Sequence, residues 1–127
     1  MNKPNRTGIS RIVWAGYYSA KGLQSAWRNE AAFRQEALAM MLLLPLSYWV
    51  GQSIEQKLLL ALTCFLVILI ELVNSAIEAT VDRISIEQHP LAGRAKDMGS
   101  AAVLCSIVML VITWGTIIWS NLPQLIS

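Results

Sequence analysis

A long apolar run over residues 58–70 passes directly into Glu71-Leu-Val-Asn-Ser-Ala-Ile-Glu-Ala-Thr-Val-Asp82, and that junction limits what the chain can fold into. Read as one helix at 100° per residue, with Glu71 as zero, Asn74 falls at about 300°, Ser75 at about 40°, Glu78 at about 340° and Asp82 at about 20°. Five polar side chains thus share an arc of roughly 100°, while Leu72, Val73, Ala76, Ile77 and Val81 fill the rest of the circumference. Ionisable groups are costly inside a membrane helix and by default mark a functional site there. A polar seam that only hydrogen-bonds neighbouring helices is the plainer alternative, but helix glue seldom needs three acids on one face.

Composition says that this helix sits in lipid. Of 127 residues, 55% are hydrophobic and 14% charged, and the mean hydropathy is +0.50. This is too apolar for an ordinary soluble domain and points to a small, all-α, multi-pass membrane protein of one domain. The formal charge of +2, with no basic run, argues against a nucleic-acid partner. Cys64 and Cys105 each lie in an apolar run without a Cys-x-x-Cys or Cys/His cluster, so neither a disulfide framework nor a zinc site is expected. The N-terminus lacks the apolar core of a signal peptide, which leaves insertion to the spans themselves.

Residues 9–27 carry helical periodicity. Ile9, Ile12, Val13, Gly16, Ala20, Leu23 and Trp27 gather on one face, with Arg11, Trp14, Tyr18, Lys21, Ser25 and Arg28 broadly opposite. This pattern suits an amphipathic helix in the membrane interface. Glu30 and Arg34 follow at i, i+4, the spacing of a surface ion pair. Residues 37–50 are an apolar segment closed by Tyr48 and Trp49. With Ala31, Ala32 and Phe33 added, it becomes a first span over residues 31–50, kinked at Pro45. The second span is expected over residues 57–81 and the third over residues 98–119. Between them, residues 83–97 form a polar connection containing His89-Pro90 and Gly93-Arg-Ala-Lys-Asp97.

The basic residues predict the orientation. The N-terminal segment carries Lys3, Arg6, Arg11, Lys21, Arg28 and Arg34, and Arg83, Arg94 and Lys96 lie in the second connection. The first connection has only Lys57, and the tail after Trp119 has none. The positive-inside rule therefore puts the N-terminus and residues 83–97 in the cytoplasm and the C-terminus outside. If the second span enters at Lys57, Glu71 lies about 21 Å along a core of about 30 Å, hence about 9 Å below the cytoplasmic boundary. Glu78 then lies near that boundary and Asp82 beyond it. A lipid head-group hydroxyl can meet the deep end of such a ladder, and a hydrated ion or nucleotide the shallow end. A buried carboxylate near its working pKa suits proton abstraction, which points to Glu71. Interfacial carboxylates suit Mg2+, which points to Glu78 with Glu30 as a partner. No Walker loop, Gly-x-Gly-x-x-Gly or protein-kinase catalytic loop is present. Arg11, Arg94 and Lys96 could hold phosphates or simply set topology, and His89 beside Pro90 reads as a loop residue.

The block from Glu71 to Asp82 resembles the small integral-membrane diacylglycerol kinases of bacteria. Asn29-Glu-Ala-Ala-Phe-Arg-Gln-Glu36, Gly93-Arg-Ala-Lys-Asp-Met-Gly-Ser-Ala-Ala102 and Trp114 resemble further parts of that family, in the same order. The resemblance implies a homotrimer of three-span subunits in the bacterial inner membrane, each with an N-terminal amphipathic helix and active sites shared across subunits. It implies transfer of the γ-phosphoryl of MgATP to diacylglycerol, giving phosphatidic acid. Carried over by residue, it makes Glu71 the general base and Glu30 and Glu78 the metal-binding carboxylates. Asn74, Lys96 and Asp97 become polar active-site positions, and Arg11, Tyr18, Glu87 and His89 surround the nucleotide. Ser100 and Trp114 become lipid-side positions, with Arg11 and Glu71 also touching substrate. Trp14 and Tyr17 depart from the best-known members, where a basic and a small residue stand. An undecaprenol kinase of the same family is the nearest rival. A non-enzymatic membrane subunit or proton-linked transporter is the rival from another class, although a proton relay would need neither Glu30 nor residues 94–97.

Overall fold

The computed structural model describes residues 4–84 and 86–127; Lys3, one of the basic residues used for orientation, lies outside the described residues. All regular structure among the described residues is helical, in four elements: α1 (Gly8–Asn29), α2 (Ala31–Val50), α3 (Ile54–Ile84) and α4 (Pro90–Leu125). The three later helices pack on one another, with α3 in the middle, and α1 lies beside α2 and α3.

The core is narrow and follows α3. Leu60, Cys64 and Val67 recur at i, i+4 and i+7 and are fully enclosed. Met40 and Val50 of α2 and Trp114 and Ile117 of α4 close around them. The Trp114 indole N–H donates to the Leu60 carbonyl at 3.3 Å, so the largest aromatic in this core also has its polar edge satisfied. At the far end of the bundle, the Asn121 amide donates to the Val50 carbonyl at 2.9 Å and to Gln56 Oε1 at 2.8 Å. These bonds tie the end of α4 to the turn between α2 and α3. Gly51 permits that turn, because a Cβ there would lie 2.7 Å from Lys57 Cγ and 2.8 Å from its backbone nitrogen.

Outside the core, large apolar side chains face outward. Leu42, Trp49, Leu62, Phe65, Leu69, Val111, Ile112 and Trp119 are all exposed. Both α3 and α4 are long and apolar enough to cross a bilayer, yet only 17% of the most apolar window of α4 is buried. A helix this apolar and this uncovered does not serve as the core helix of a water-soluble monomer. The outward surface is one that lipid or other subunits must cover.

Two local expectations change. Residues 83–97 are not one connection: α3 continues to Ile84 and α4 starts at Pro90. The His89 ring accepts from the Leu91 N–H at 3.1 Å, and Pro90 occupies the first helical position, where a missing N–H costs nothing. The polarity of residues 90–97 marks where the helix leaves the apolar layer rather than where helix ends. The Glu30–Arg34 ion pair also does not form. Glu30 is the break between α1 and α2, with extended backbone (φ −117°, ψ 106°), so the two side chains do not share one helix surface. Arg34 instead donates to the carbonyls of Trp27 (2.8 Å) and Arg28 (3.2 Å), fastening the corner at its surface.

Candidate active site

Helical periodicity in α3 carries the acidic ladder, and its surroundings grade it. Glu71 is 4% exposed and Asn74 7%, with Ser75 buried between them. One turn further on, Glu78 is half-buried, and Asp82 is exposed. The Ser75 hydroxyl donates to Glu71 Oε1 at 3.4 Å. The Asn74 amide donates to Glu78 Oε1 at 3.3 Å. Glu71 and Glu78 therefore each have a neutral donor on the same helix, spaced i, i+4, that limits rotation.

Other helices bring charges to this face. The charges of Glu30, from the α1–α2 corner, and of Glu78 both bear on Glu71. Glu36 of α2 does so too, with its Oε2 enclosed and without a hydrogen-bond partner. Sequence reasoning assigned Glu36 no role, because nothing within residues 29–36 reveals which of them will face α3. From α4, Lys96 forms an ion pair with Asp82 at 2.5 Å. That hydrogen bond and charge hold the Lys96 ammonium above its usual range, so it remains a cation at physiological pH.

Two clefts adjoin the ladder, and a third lies apart from it. One of about 740 Å³ runs between the second half of α1 and α3, lined by Ser19, Gly22, Ser25, Glu30, Ser75 and Ala79 among others. A second, about 590 Å³, lies at the α3–α4 corner and collects Asp82, Glu87, His89 and Lys96. A third, about 670 Å³, is formed by the start of α1 with Arg6, Arg11, Trp14 and Tyr18, where the Arg6 guanidinium sits 3.7 Å over the Trp14 ring.

The candidate residues thus divide. Glu30, Glu71, Asn74 and Glu78 converge on one face, whereas Glu87, His89 and Lys96 share the corner cleft. Asp97 and Ser100 are exposed on the first turns of α4. Arg11 and Tyr18 line a separate cleft, and Trp114 is eleven residues away from Glu71 along α3 by its Leu60 contact, about 16 Å. Among the described residues no three His, Cys, Asp or Glu side chains group as a metal cage. A pair of carboxylates nonetheless fits Mg2+, which takes one or two such ligands and completes its shell with water and substrate phosphate. The donor set at Glu30 and Glu78 is of that kind.

The model of a family described as prokaryotic diacylglycerol kinase matches residues 17–118, which include all of α2 and α3, with the ladder, and parts of α1 and α4. The chain belongs to the prokaryotic diacylglycerol kinase family. It is 52% identical over 117 residues to a diacylglycerol kinase of Escherichia coli (strain K12), covering 92% of this chain and 96% of that one. Identity to the diacylglycerol kinase of Pseudomonas aeruginosa (strain PAO1) is 46% over 113 residues, covering 89% and 92%. With that of Haemophilus influenzae (strain Rd) it is 42% over 113 residues, covering 89% and 96%. Membership of this kinase family fits the outward apolar surface of α3 and α4, and the chain is a membrane protein.

Proposed function

We propose that this chain is an ATP-dependent lipid kinase that transfers the γ-phosphoryl of MgATP to the hydroxyl of diacylglycerol, giving phosphatidic acid and ADP. The observation that carries the reading is the graded ladder on α3: an enclosed acid, Glu71, followed on the same face by the half-buried Glu78 and the exposed Asp82. A reaction between a lipid alcohol and a water-soluble nucleotide needs this gradient, because its two substrates arrive from opposite sides of the interface.

In this reading Glu71 accepts the proton of the lipid hydroxyl as its oxygen attacks the γ-phosphorus and the bond to the ADP oxygen breaks. Asn74 fixes the Glu78 carboxylate, and Glu78 with Glu30 holds Mg2+. When bound, Mg2+ neutralises charge on the phosphate oxygens. Lys96 and Asp97 position the phosphates, while Arg11, Tyr18, Glu87 and His89 surround the rest of the nucleotide. Ser100 meets the lipid, and Trp114, buried in the core, supports that side through its packing against α3. Arg11 and Tyr18 lie apart from the ladder within one chain, which supports active sites assembled across the subunits of a homotrimer. The membrane arrangement completing the reading has three spans, α2, α3 and α4, with α1 in the interface of the bacterial inner membrane and the N-terminus and active site cytoplasmic.

Two experiments test this proposal. Purified protein incubated with MgATP should phosphorylate diacylglycerol faster than undecaprenol in parallel reactions. The opposite preference would transfer the same chemistry to the other alcohol, and no product from either would exclude a kinase of these lipids. For orientation, a cysteine added after Ser127, with Cys64 and Cys105 replaced, should react with an impermeant thiol reagent in intact cells. Shielding of that cysteine, with labelling of one placed at position 88, would invert the topology.

A further inference from the structure

Gly99 lies on α4 directly against Asn74 of α3. A Cβ built at Gly99 would overlap the Asn74 amide oxygen, and it would lie 3.2 Å from Asn74 Cγ and 3.9 Å from Asn74 Cβ. The other two glycines of α4, Gly93 and Gly115, have open space where a Cβ would go. Gly99 is also the first buried residue of α4, with no other until Ser106. Its hydrogen, in the direction a side chain would take, faces the Asn74 oxygen, which is enclosed and has no N–H or O–H partner. The amide can adopt only one useful orientation there. Its oxygen faces the glycine Cα–H, where a weak contact is all that is available, and its NH2 turns to Glu78 Oε1 at 3.3 Å. The flipped amide would present an oxygen to a carboxylate and aim two N–H groups at carbon.

We propose that Gly99 is a positioning residue for the Asn74–Glu78 pair: the missing side chain on α4 seats the Asn74 amide so that it orients the Glu78 carboxylate. The inference deepens the kinase reading, on which it rests for the role of Glu78 towards Mg2+. It also explains why a helix-weakening glycine occupies an interior helical position where alanine would ordinarily be favoured. Close approach of the two helices at this level depends on it, as small residues permit in membrane bundles.

Alanine at Gly99 must push the Asn74 amide aside and break its bond to Glu78. Alanine at both positions removes the conflict, because the two Cβ atoms would then sit at the ordinary contact distance of 3.9 Å. The test compares Gly99→Ala, Asn74→Ala and the double variant in one detergent. Equilibrium binding of ATP is measured across a Mg2+ titration without lipid, and phosphorylation is measured separately. Loss of a hydrogen bond that orients a metal ligand typically costs about 10–100-fold in metal affinity or activity, and Gly99→Ala should lose this much. In the Asn74→Ala background the same substitution should add less than about twofold, since the orienting amide is already gone. Wild-type binding in Gly99→Ala overturns the inference. So does a further tenfold loss in the double variant, which would mean that Gly99 answers to something other than Asn74. If Gly99→Ala does not fold, a folded double variant supports the proposal and an unfolded one refutes it. Failure of the kinase reading is distinguishable: wild-type protein would then phosphorylate neither alcohol, whatever the coupling between positions 74 and 99.

Discussion

Glu71→Gln should lower the rate of phosphoryl transfer by about 10²–10⁴-fold, the usual cost of losing a general base, while MgATP affinity stays close to that of the wild type. Glutamine preserves the size of a side chain that is 4% exposed, so no cavity opens between α2, α3 and α4. Its amide oxygen can still accept from the Ser75 hydroxyl, which lies 3.4 Å from Glu71 Oε1. What the substitution removes is the ability to take a proton. It also removes one of the like charges that bear on Glu36, so the folded protein should be no less stable. Single-turnover phosphorylation and equilibrium nucleotide binding, measured on the same preparation, separate the two effects. Near-normal turnover would dismiss Glu71 as the base.

Glu78→Gln should behave differently, and Glu30→Gln with it. Glu78 lies seven residues beyond Glu71 on the same face, about 10.5 Å along the helix, too far to share a proton with it directly. It is half-buried, and the Asn74 amide holds its Oε1. A glutamine there can keep that hydrogen bond through its oxygen but supplies no charge to a divalent cation. Both substitutions should weaken Mg2+-dependent ATP binding at least as much as loss of an outer-shell partner, about 10–100-fold, and turnover should fall in parallel. A Mg2+ titration of ATP binding reads this directly. Normal Mg2+ dependence in both variants would exclude a two-carboxylate site. If Glu71→Gln rather than Glu78→Gln showed the binding defect, the two roles along α3 would have to be exchanged.

The sequence by itself determined the features whose cause is local. The common face of Glu71, Asn74, Ser75 and Glu78 follows from 3.6 residues per turn, and α3 runs unbroken from Ile54 to Ile84 through all of them. The apolarity of α3 and α4 was legible because composition alone decides whether a helix that satisfies its own backbone hydrogen bonds suits lipid, but their lengths were not, since both helices run past the expected 57–81 and 98–119. The three sequence blocks also sufficed for the family.

Tertiary structure decided which groups meet. Glu30 and Arg34 have the spacing of an ion pair, but spacing counts only within one continuous helix, and the chain turns a corner at Glu30. Glu36 and Gly99 were plain members of two quoted blocks until α2 and α4 were placed against α3. Then one became a half-buried acid bearing on Glu71, and the other became the gap that seats Asn74. Asn121 and Val50 are 71 residues apart in the chain yet hydrogen-bonded. None of these pairings has a local signature, because packing fixes the relative rotation and register of helices through contacts between faces, and a single helix's periodicity specifies only its own face.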